Sequence, residues 1–185
     1  IDAASKAKDD LNERITRLKD DIKRIEKEQN KRKLTAYSRI SDCAKALLEQ
    51  DLEEHSDFGR IDHVGFEFSG DWVAINGDKN RGGSASGMVV LKNSVAAAML
   101  QASLQDPLFN LPRWMMFDNI EDKGMVQERS WNFQRLLVGL SKASKSEHQI
   151  IFTTSKIAPE LAGSDCVIGR QFTKASPTLR IPSNG

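Results

Sequence analysis

Leu11, Ile15, Leu18, Ile22 and Ile25 recur at steps of 4, 3, 4 and 3, and the positions between them are mostly Lys, Arg, Asp and Glu. An average step of 3.5 residues is the seam of a left-handed coiled coil. Such a stripe is too narrow to cover a globular body, but wide enough for one partner helix. The next seam positions, Gln29 and Arg32, are polar, and a second apolar rhythm follows in a shifted phase at Leu34, Tyr37, Ile40, Ala44, Leu47 and Leu48. Neither Gly nor Pro occurs from 1 to 58. The spacing predicts a coiled-coil arm running into a helix that packs on a globular body, over residues 1–57. The alternative is a solvated amphipathic surface helix.

Charge follows the same division. Residues 1–55 hold 13 Lys+Arg and 13 Asp+Glu, so the arm is balanced, and the whole chain of 185 residues carries a formal net charge of +1. That balance excludes a polycation of the histone-tail kind. No uninterrupted apolar run approaches the roughly 20 residues of a membrane helix. Cys43 and Cys166 cannot make a disulfide framework and have no metal-ligand spacing, which points to a reducing, cytoplasmic setting. The chain begins at Ile1 without Met, and is expected to be part of a longer protein.

Residues 58–185 read as α/β. Val64, Phe66 and Phe68 alternate with polar residues, Ser69-Gly70-Asp71 turns, and Trp72–Ile75 returns, predicting a hairpin. Met88–Leu104, rich in Ala, Leu, Met and Val, predicts a long buried helix ended by Asp106-Pro107. Trp114–Phe117 predicts a buried strand running into Asp118, and 130–142 predicts a helix. Gln149–Thr154 predicts a further buried strand, with Cys166–Ile168 and Leu179–Ile181 as terminal strands. Strands alternating with helices predict a mainly parallel sheet.

Three features bear on chemistry. Residues 82–87, a Gly/Ser loop opening a helix, offer backbone N–H groups and hydroxyls to an anion such as phosphate, or else a plain N-cap by Ser84 or Ser86. Asp118 stands at the carboxyl end of a strand, where α/β proteins bind ligands and where a carboxylate can hold Mg²⁺ through water; otherwise it caps the next turn. Glu121 and Asp122 follow closely. Thr153, Thr154 and Ser155 bring hydroxyls to the same sheet edge, for a phosphate or an attacking water, unless Ser155 caps a helix near Ala158.

This order of features resembles the C-terminal lobe of the ATPase head in the SMC-like branch of the ABC ATPases, P-loop NTPases that include chromosome-structure and double-strand-break-repair proteins. The resemblance covers most of residues 1–165. The strings Ser84-Ala85-Ser86-Gly87-Met88 with Leu91-Lys92-Asn93-Ser94, and Asp118-Asn119-Ile120-Glu121-Asp122-Lys123-Gly124-Met125, are similar to a bacterial SMC-like group. The resemblance implies that Ser84, Ser86 and Gly87 form the signature loop that closes over ATP on the opposite head, although the family's usual form is Leu-Ser-Gly-Gly-Gln/Glu. It implies that Asp118 is the Walker B aspartate holding Mg²⁺. The next position usually carries a glutamate that serves as general base. Here it is Asn119, whose amide can orient water but cannot take its proton. Glu121 is the nearest substitute. Asp122 and Lys123 match the D-loop that touches the second head, and Thr154 or Ser155 the switch position often held by His.

No GxxxxGK[ST] occurs in the chain. In this family that loop lies in the N-terminal lobe, so the chain alone is expected to be inactive. The implied partners are its own N-terminal ATPase lobe, a second head, and an antiparallel coiled-coil helix. DNA is implied by the same analogy, because Lys142, Lys145 and His148, with Lys23, Arg24, Lys27, Lys31, Arg32 and Lys33, make only modest basic clusters. The bacterial cytosol or nucleoid is the implied location. Two other functions fit the residues: an ATP-gated clamp or sensor that does not hydrolyse, and a coiled-coil interaction module with a structural α/β body.

Overall fold

One unbroken helix, α1 (Asp2–Leu48), covers the charged segment in this computed structural model, which describes residues 2–52, 58–81, 83–121, 124–169, 172, 173 and 176. With no Gly or Pro to interrupt it, its 47 residues extend about 70 Å. Leu11, Ile15, Leu18, Ile22 and Ile25 are all exposed, so the seam has no partner among the described residues. The change from arm to junction helix falls between Leu34, 71% exposed, and Ile40, 1% exposed. Leu34 therefore does not share the packing face that the second apolar rhythm assigned to it. Beyond it, Ile40, Cys43, Ala44, Leu47 and Leu48 enter the core.

The hairpin forms as its alternation requires, β1 (Val64–Glu67) pairing antiparallel with β2 (Trp72–Ile75). A Cβ on Gly70 would lie 2.9 Å from Trp72 Cδ1, so the turn depends on a residue without a side chain. Ser41 Oγ of α1 accepts the Val64 N–H at 3.2 Å, fastening the hairpin to the junction helix. The long apolar helix, α2 (Ala85–Gln105), packs mainly along α1. By length and composition α2 could cross a membrane, but 56% of the relevant window is buried inside the fold.

β3 (Trp114–Phe117), α3 (Gln127–Ala143) and β4 (Gln149–Phe152) form a parallel βαβ unit, with Trp114 opposite Gln149 and Phe117 opposite Phe152. The architecture is mixed α/β, but the single mainly parallel sheet is not formed. The described residues make two separate two-stranded sheets, one antiparallel and one parallel. Cys166–Ile168 is not a strand; Val167 N–H donates to Ser164 O in a turn. Leu179–Ile181 lies outside the described residues.

β3 and β4 are also less buried than their uniform apolarity suggests. Phe117 enters the core, whereas Trp114, Met116 and Ile151 are 52%, 56% and 38% exposed. Adjacent strand residues point to opposite faces, and an all-apolar run does not tell which face will be covered.

Arm and body should respond differently to truncation. Leu100, fully buried in α2, should cost about 2–5 kcal/mol of stability as Leu100→Ala. Leu18→Ala should leave the unfolding of the isolated chain within about 0.5 kcal/mol of wild type. Denaturant titration of both variants checks this.

Candidate functional site

The carboxyl ends of β3 and β4 place Asp118 beside Thr153. Thr153 Oγ1 donates to Asp118 Oδ1 at 3.0 Å and accepts the Asn119 N–H at 2.7 Å, so one hydroxyl ties the two strand ends. Asp118 is exposed, and Oδ2 has no protein partner among the described residues. A lone exposed carboxylate suits an ion held largely through its own water shell, as Mg²⁺ is. No group of three or more His, Cys, Asp or Glu side chains converges anywhere among the described residues.

Asn119 has φ +55°, in the left-handed region, where Asn is among the better-tolerated side chains. Asn119 is thus a residue that this backbone favours. The turn sends Ile120 back into the core and leads to Glu121.

Glu121 is committed to the structure around it. Its Oε2 accepts from Thr154 Oγ1 at 2.5 Å and from Ser130 Oγ at 3.3 Å, while Oε1 accepts the Ser155 N–H. Burial alone would push this carboxyl up, but the bonds from Thr154, Ser155 and Ser130 outweigh it and hold Glu121 below the ordinary glutamate range. A carboxylate stabilised in this way is a poor proton acceptor. Thr154 and Ser155, expected to face a phosphate or water, spend a hydroxyl and an amide on it. Gln134 closes the network, donating through Nε2 to Lys156 O at 3.0 Å and accepting the Ala158 N–H at 2.9 Å. The helix proposed to begin near Ala158 is a series of turns, so Ser155 caps none.

The Gly/Ser loop is an N-cap first. Ser84 Oγ accepts the Gly87 N–H at 2.9 Å, and Gly83 supports the approach with φ +52°. Ser86 and Gly87 are buried. Ser86 Oγ lies 3.1 Å from Ser84 Oγ and accepts from Arg129 Nη1 at 3.3 Å, so its hydroxyl faces inward. Asp122 and Lys123 lie outside the described residues.

The strongest polar interaction nearby gave no warning in the sequence. Arg129, in the first turn of α3, is 0% exposed and ion-paired at 2.6 Å with Asp51, whose side chain is 2% exposed. Its guanidinium also lies 5.6 Å from the centre of the Phe58 ring. Ser130 and Gln134 were missed as well. Their only signal is that two polar residues one helical turn apart share the buried face of α3 with Phe133 and Leu137. Among the basic clusters, Arg24 pairs with Asp21 and Glu28, Arg32 pairs with Asp106, and His148 bonds to Ser141 and Ser146.

No protein-family description matches the chain, and no curated protein and no solved structure is significantly similar to it.

Acid should weaken the Glu121 clamp. Its folded pKa lies below the unfolded value of about 4.3, so its stabilisation is full above that value and is lost as pH falls through the folded pKa. Glu121→Gln should therefore lower the melting temperature clearly at neutral pH, and the gap from wild type should close below about pH 4. Thermal melts across that range check the sign.

Proposed function

We propose that this chain is the C-terminal lobe of an SMC-like ATPase head, in which ATP and Mg²⁺ join it to a second head and arm movement acts on DNA in a cytoplasmic setting. The observation that carries this reading is Asp118: an exposed carboxylate at the carboxyl end of a parallel strand, held by a hydroxyl from the neighbouring strand. Asp118 would hold the ion, and the ion would neutralise phosphate charge when bound. Ser84 would face the nucleotide of the opposite head from the start of α2. Ser86 and Gly87 would act from beneath, by fixing that loop.

Two unsatisfied surfaces support the expected partners. The α1 seam exposes five apolar residues in coiled-coil register, as a helix awaiting one antiparallel partner would. Parallel sheets are ordinarily covered on both faces, whereas here Trp114, Met116 and Ile151 stay exposed on a sheet of two strands. An N-terminal lobe carrying the phosphate loop would extend and cover that sheet.

A second reading is favoured by Asn119 and Glu121. With an amide at the usual base position and the next carboxylate fully engaged, the head would bind ATP and close without hydrolysing it.

The two readings separate in the protein carrying both lobes. Under the first, Mg²⁺-dependent phosphate release is measurable and Asp118→Ala lowers it at least about 100-fold. Under the second, ATP drives head association, seen by sedimentation, with no phosphate release. Neither association nor release with Asp118 intact would defeat both.

A further inference from the structure

The arm meets the body through charge at both ends of α2, and the two meetings differ in kind. Arg32 and Arg39 of α1 both reach Asp106, just past the end of α2, at 3.2 Å. Asp51, just past the end of α1, holds Arg129, which in turn holds Ser86 in the first turn of α2. α1 and α2 therefore run antiparallel, with one clamp at each end. In the Asp106 clamp Arg32 is exposed and Arg39 half-buried, so solvent and salt weaken it. The Arg129–Asp51 pair is sealed from solvent and retains its strength.

We propose that Arg129 couples the arm to the Ser84–Gly87 loop, as a positioning residue through which displacement of the arm's end changes the geometry of that loop. Its regulatory meaning rests on the reading of this loop as nucleotide-facing, whereas the coupling can be measured without nucleotide. The contacts are continuous: Arg129 Nη2 to Asp51 Oδ2 at 2.6 Å, Nη1 to Ser86 Oγ at 3.3 Å, Ser86 Oγ to Ser84 Oγ at 3.1 Å, and Gly87 N–H to Ser84 Oγ at 2.9 Å. Arginine suits the position because its planar fork holds donors on separate nitrogens in fixed directions, whereas an ammonium concentrates its three donors on one rotating atom. The adjacent Ser130 donates to Glu121, so the same helical turn also touches the segment that follows β3.

Amide hydrogen exchange on the full-length protein without nucleotide tests the coupling. Asp51→Asn keeps the shape but removes the charge, and Arg129→Lys keeps the charge but removes the fork. Each should speed exchange at the Gly87 amide by about fivefold or more, the size of a weakened helix cap. The Thr153 amide, bonded to Phe117 O across β3 and β4, should speed up less than the Gly87 amide. Arg32→Gln, in the exposed clamp, should leave both amides unchanged. An unchanged Gly87 amide in Asp51→Asn overturns the proposal, as does equal acceleration at Gly87 and Thr153, which marks general loosening. If the wild type never responds to ATP, the nucleotide reading fails while the exchange result still decides the coupling.

Discussion

A guanidinium with no access to water has to be matched on every side, and Arg129 imposes that demand on three helices at once. Asp51 neutralises it, Ser86 accepts from it and Phe58 packs beside it. Removing one partner of such a pair typically costs about 3–5 kcal/mol, because the remaining charge is left buried. The end of α1, the start of α2 and the start of α3 are held together by this requirement as much as by apolar packing. The geometry of the Gly/Ser loop depends on it too.

The two carboxylates beyond β3 show how environment separates residues of similar chemistry. Asp118 stays exposed, and among the described residues a single hydroxyl is bonded to it, on one of its two oxygens. Glu121, three residues later, is drawn under the β4 end and spends both oxygens on neighbours. One keeps its carboxylate facing solvent, and the other holds the strand ends together. Asn119 lies between them in a left-handed conformation that suits its side chain. The local backbone, as well as any catalytic requirement, therefore bears on which residue occurs there.

Element identity was legible wherever one periodicity ran long enough. The Gly- and Pro-free segment around Leu11–Ile25, the hairpin alternation and the Ala-rich run of α2 form the helices and strands that their patterns require. The sheet was less legible, because Trp114–Phe117 and Gln149–Phe152 are apolar at almost every position and carry no mark of which face is covered. At the candidate site, Asp118 was readable from its place at a strand end. The occupation of Glu121, Thr154 and Ser155 by one another was not, since it joins segments more than 30 residues apart.

By itself, the sequence determined a long charged helix, because no Gly or Pro interrupts it and five apolar residues recur along it at 3.5-residue spacing. It also determined that α2 would be a core helix and that a carboxylate would end a strand. Only the tertiary structure decided what the polar side chains do. Arg129 looks like any first-turn arginine, and Asp51 like any acidic residue after a helix, until packing removes both from water. A charge becomes a structural requirement only when its solvent is gone, and no local pattern records that loss.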